Sequence, residues 1–295
     1  MSFHWFEILS GLACWVFCAL LAAVCLRAKL RALLDRAREP GQSAATDSIA
    51  QPTPKDHTQG GRLAVSLASG AALAAFLWIP LGSLPALFPL SWSGFAVLGS
   101  LALSLGFEED WAWRAATRRK LCALALLGVS LALFAWYGRQ RGVPGELFAL
   151  DSYVATPLAA LMGWQGRLGM LLLVLALLLV LRDVQRDLAS GLAGVMSLEA
   201  GEARAVVIAG LTRQVWILAV LGMAVCLFAP VCPAGWIGMS GVTGIGVDAL
   251  FFWLKLLIAD HALWLTENRL PRLSDCAPWV QFLLAGLGAL CMTFA

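Results

Sequence analysis

Charge is what this sequence has least of. Only 13% of its 295 residues are Asp, Glu, Lys or Arg, and they stand between long apolar runs, a pattern that excludes a soluble domain with a solvated charged surface. Histidine is scarcer still: His4, His57 and His261 are the only three and lie far apart, so they spell out no zinc or haem site. The eight Cys include no C-x-x-C pair, which removes the commonest redox and zinc signatures. Cys14, Cys18 and Cys25 share one helical face as packing residues, and Cys226 and Cys232 fall toward a side where a disulfide could form. No internal repeat of the transporter type is visible. The glycine-rich stretch PAGWIGMSGVTGIG lacks the strand-to-helix setting of a phosphate-binding turn and is expected to be a tight outer loop.

What is present in excess is apolar length. Hydrophobic residues make up 60% of the chain, enough for several spans of roughly twenty residues, the number a helix needs to cross about 30 Å of hydrocarbon. Candidate spans lie near 5–27, 63–80, 86–106, 121–138, 167–182, 213–230, 247–266 and 279–295. The expected fold is therefore all-α: a polytopic membrane protein of about eight transmembrane helices, one membrane domain over 1–295. The segment 39–61, rich in Pro, Gly, Ser, Thr and Gln, reads as a disordered cytoplasmic loop.

The basic residues orient the spans. None precedes the first span, and Arg27, Lys29, Arg31, Arg36 and Arg38 follow it at once. The positive-inside rule then places the N-terminus outside and makes a cleaved signal peptide improbable. With that start the cytoplasmic loops receive seven Lys/Arg over 27–62, then Arg114, Arg118, Arg119, Lys120, Arg182, Arg186, Arg204, Arg213, Arg269 and Arg272. The outer loops receive only Arg139, Arg141 and Arg167. Both termini are expected outside. The net charge of +3 thus records topology and gives no indication of a nucleic-acid partner. The thirteen Trp, against two Tyr, fall mainly near span ends, where the ring anchors at the lipid headgroups.

One span is anomalous. In DALFFWLKLLIADHALWLTENRLPRL, Asp248 and Lys255 are seven apart and share a stripe; Asp260 and Glu267 are also seven apart, on a second stripe rotated by about 120°. At 1.5 Å per residue these groups sample the whole depth of the bilayer. Ionisable groups at such positions cost several kcal/mol unless they meet a partner or water. Two readings stay open: structural pairing with another helix, or a polar axis for proton movement.

The succession of Lys255, an apolar run, Glu267-Asn268, Arg272-Leu273 and a final apolar span resembles the C-terminal region of a subunit family shared by complex I and the membrane-bound nickel-iron hydrogenases. This is the NADH dehydrogenase subunit 1 or H-subunit family, and the nearest members are the membrane subunits of formate hydrogenlyase and the energy-converting hydrogenases. The resemblance covers about 50 residues well. Upstream it is carried by LRAKLRALLDRAREPG, by Thr117-Arg118 after a polar loop, and by Asp187-Leu188-Ala189 at the entry to an acidic loop.

That resemblance implies eight transmembrane helices with the N-terminus outside, in a bacterial inner membrane. It implies no cofactor and no metal in this chain. The expected partners are hydrogenase-like small and large soluble subunits on the cytoplasmic loops, antiporter-like membrane subunits alongside, the lipid bilayer, and quinone as a further candidate. Proton-pathway candidates are Asp248, Lys255, Asp260 and Glu267 on the anomalous span and the loop acids Glu108, Glu109, Asp110, Asp183, Asp187, Glu199 and Glu202. Docking candidates are Arg118, Arg119, Asn268, Arg269 and Arg272. The chain departs from the family where closely spaced glutamates are replaced by Ser190 and Leu192, which puts coupling itself in question. A stand-alone proton-coupled secondary transporter and a non-conducting structural scaffold are the alternatives.

Overall fold

The computed structural model describes residues 70–72, 93–108, 114–143, 161–193, 200–230, 233–239, 241–269 and 278–294. Among them every regular element is helical: α1 (Ser93–Glu108), α2 (Arg114–Gln140), α3 (Trp164–Ala193), α4 (Ala200–Phe228), a single turn α5 (Ala234–Ile237), α6 (Gly241–Arg269) and α7 (Pro278–Thr293). Windows in α2, α3, α4 and α6 are long and apolar enough to cross a membrane; α1 and α7 are shorter apolar helices. The spans expected at 5–27 and, apart from residues 70–72, at 63–80 lie outside the described residues, as does the loop 39–61.

Periodicity explains how the helices face one another. In α2, Ala123, Leu127, Leu131 and Phe134 recur every three or four residues and are buried, while Leu121, Val129 and Trp136 point outward. In α3 the buried row is Met170, Leu173, Leu177, Val180 and Val184. The hub is α4, whose apolar window Leu211–Phe228 is 83% buried and which packs against α1, α2, α3 and α6. By contrast, α6 has only 28% of its window buried and presents Leu250, Leu254, Leu257 and Ile258 on its outer side. That distribution suits a peripheral helix whose outer row meets lipid or another subunit.

Two aromatic contacts register the bundle at one end. Phe134 of α2 meets Phe228 of α4 edge-to-face at 5.4 Å, and the Tyr137 hydroxyl donates to the Leu161 carbonyl at 3.2 Å. There α2 closes with Gly142 at φ 66°, and the Val143 N–H reaches back to the Gly138 carbonyl, a left-handed helix stop that glycine adopts without strain. Arg139 complements the dipole in that last turn.

The helices outrun the apolar windows that reveal them. Residues 183–212, expected as a cytoplasmic loop, are helical on both flanks, because α3 continues to Ala193 and α4 starts at Ala200. The glycine-rich stretch expected as an outer loop holds α5 and the first turn of α6.

Candidate functional site

The charges of α6 nearest its N-terminus are used on backbone. Asp248 Oδ1 accepts a hydrogen bond from the Ala234 N–H at 3.0 Å, which satisfies an orphan donor at the start of α5. Lys255 Nζ donates to the Ala229 carbonyl at 2.7 Å and lies 5.4 Å from the Phe251 ring centroid. Ala229 follows the last residue of α4, and Pro230 stops that helix. A cation there meets carbonyls that have no partner in the helix and the negative end of its dipole. The shared stripe of Asp248 and Lys255 therefore clips Ala234 and Ala229 to α6. The hydrogen-bond partners shown are main-chain groups rather than side chains of opposite charge.

This geometry fixes the effect of removing the amine. Lys255→Met should cost about 1 kcal/mol, the typical net contribution of one hydrogen bond, because the Ala229 carbonyl is exposed, and Lys255→Arg should recover most of it. Thermal unfolding of the purified full chain reads both. An unchanged melting temperature in Lys255→Met would remove the clip from the account.

Further along α6, Asp260 is half-buried and His261 is exposed, the imidazole stacking on Trp264 at 5.3 Å and 19°. Glu267 and the docking candidates Asn268 and Arg269 occupy the last turn of α6, Glu108 ends α1, and Asp187 and Glu202 lie within α3 and α4; only their backbone is described. Glu109, Asp110, Glu199 and Arg272 lie outside the described residues.

A second polar assembly sits at the other end of the bundle, where α1 and α3 finish and α2 and α4 begin. Asp183 is its centre. Its Oδ1 meets Arg182 at 3.2 Å, its Oδ2 accepts from Gln281 of α7 at 2.7 Å, and its carbonyl accepts from Arg119 of α2 at 3.3 Å. One residue on, Lys120 lies 5.4 Å from the ring centroid of Trp216 on α4, and the Trp216 indole donates to the Leu101 carbonyl of α1 at 3.4 Å. One polar belt thus joins α1, α2, α3, α4 and α7. Lys120 is 1% exposed, Arg182 3% and Arg213 7%, so these cations are built into the protein, whereas Arg118 and Arg119 face outward beside them.

No family model, curated protein or solved structure matches this chain. Among the described residues no three His, Cys, Asp or Glu converge to hold a metal ion. Cys226 is buried in the core; Cys232, its partner in the disulfide considered from the sequence, lies outside the described residues.

Sequence reasoning brought Asp183 and Arg119 forward, and the structure brings these two together. It missed Lys120, Arg182, Arg213 and Gln281, the first three having been assigned to solvated loops. The signal for Lys120 was present: it stands three and seven residues before Ala123 and Leu127, in phase with the buried row of α2.

Proposed function

We propose that this chain is the membrane anchor and proton-coupling subunit of a complex I-like or membrane-bound hydrogenase-like redox complex in a bacterial inner membrane. In this reading it has about eight spans with both termini outside. The observation that carries the proposal is the belt: cations sunk into one end of the bundle around Asp183, with Arg118 and Arg119 exposed on the same helix. A rigid polar end of this kind suits docking, because its exposed charges stand on ordered helices and lose little freedom on binding. The C-terminal resemblance supplies the partner class, hydrogenase-like small and large subunits carrying the redox centres, with antiporter-like membrane subunits and quinone as further partners. Asp183 and Asp260, with the loop acids, are the candidate proton carriers.

Arg118→Glu together with Arg119→Glu should strip the soluble subunits from the membrane fraction while this chain stays inserted. Because Arg119 also holds the Asp183 carbonyl, Arg118→Glu alone is the cleaner variant and should weaken the same association by about tenfold, the effect of about 1.4 kcal/mol. Immunoblots of salt-washed membranes read it. Full retention in both variants would count against docking through α2.

One observation favours a second reading. Asp248 and Lys255 spend their charge on helix ends, which is what a non-conducting scaffold requires of them. In that case the docking variants behave as above and isosteres of Asp260 leave proton movement unchanged.

A further inference from the structure

Within the belt end of the bundle, two side-chain amides lack the partners that burial demands. Gln214 is 1% exposed, and neither its Oε1 nor its Nε2 has a hydrogen-bond partner. Gln185, 7% exposed, has an orphan Oε1. Gln185 closes the apolar window of α3, Gln214 lies three residues inside that of α4, and the two helices pack together. Gln214 cannot swing to the surface, because Thr212, Arg213, Val215 and Trp216 around it on α4 are buried as well.

Buried polar groups in folded proteins are nearly always satisfied by protein or by ordered water. Leucine would fill the same position without the desolvation cost of the amide. We infer that this end of the bundle holds internal water, which enters from the belt side and hydrogen-bonds Gln214 and Gln185. The water stops short of the apolar layer made by Leu221 and by Phe134 against Phe228. The ligand class is water, with small hydrated ions able to follow it. Its reach is about 5 Å past the start of the α4 window at 1.5 Å per residue, so it forms a blind vestibule and not a channel. This inference is independent of the redox complex: a wet vestibule needs no partner subunit.

Thiol accessibility in the full chain, in native membranes, tests it. All eight native Cys are changed to Ser, and Gln214→Cys is compared with Leu221→Cys, seven residues on and on the same face of α4. The probe is silver ion, small and hydrated, read as loss of maleimide labelling after unfolding. A hydrated thiol ionises and reacts, whereas apolar surroundings suppress the thiolate, so position 214 should react at least about tenfold faster than 221. Equal slow reaction means a dry bundle and overturns the vestibule. Equal fast reaction means that no apolar layer closes it and overturns its blind end. Should Gln214→Cys fail to accumulate, Gln214→Leu decides by thermal unfolding. Loss of bound water lowers the melting temperature, and a rise would show a dry, unsatisfied amide. Neither readout depends on docking or transport, so failure here leaves the proposed function standing, and the reverse holds.

Discussion

Gly288→Ala should destabilise the protein by about 2 kcal/mol, within the range for forcing extra volume into a packed contact, while Gly286→Ala two residues away should cost nothing. A Cβ at Gly288 would stand 2.9 Å from the Gly169 carbonyl oxygen and 3.0 Å from Leu173 Cγ. Reciprocally, a Cβ at Gly169 would stand 2.7 Å from the Gly288 oxygen. The obstacle on each side is backbone, which cannot rotate away, so α3 and α7 must separate. Small residues that let two helices approach this closely are how membrane bundles gain packing energy where lipid competes equally well for apolar surface. At Gly286 the added methyl meets nothing within 4 Å, and alanine's better helix propensity makes that change neutral or mildly stabilising. The consequence reaches the belt, since α7 carries Gln281 to Asp183. Melting temperatures of the two variants, compared directly, check the claim; equal values would mean that α3 and α7 do not cross where described.

Asp183→Ala should cost about 3 kcal/mol, the low end for breaking a buried ion pair. Its side chain is 22% exposed while Arg182 is 4% exposed, so water offsets part of the loss on the carboxylate side and almost none on the guanidinium side. Gln281 loses its acceptor in the same step. Asp183→Asn should fall between, because an amide oxygen still accepts from Gln281 but no longer balances the cation. The double change Arg182→Met with Asp183→Leu should recover much of the stability, since removing both charges leaves neither stranded. A double-mutant cycle on thermal unfolding measures the coupling. Additive losses would mean that the pair contributes no interaction and that the belt is held by its other contacts.

These residues also show how far the sequence could be read. Apolar runs revealed α2, α3, α4 and α6, because crossing a bilayer demands length and hydrophobicity that nothing else in the chain mimics. Their ends were not legible: hydropathy marks where lipid begins, and a helix continues through polar residues such as Arg186 and Glu202 for as long as its backbone bonds are made. The charges of α6 stood out at once, yet a search for counter-ions overlooked main-chain partners such as the Ala229 carbonyl, which no side-chain pattern encodes. The belt was hidden for a related reason. Lys120, Arg182 and Arg213 sit at span edges, where a solvated cation and a buried one look alike in sequence, and only the neighbouring helices decide between them. Gln214 carries no charge and broke no pattern, so its burial became visible only in the packed bundle.

The account's central claim, a membrane subunit whose belt end docks a redox module, is tested most directly by purifying the full chain from native membranes in mild detergent and identifying what accompanies it. The account predicts hydrogenase-like small and large subunits in stoichiometric amount, together with antiporter-like membrane subunits. Recovery of this chain alone from such membranes, with proton-coupled transport retained after reconstitution, would contradict it.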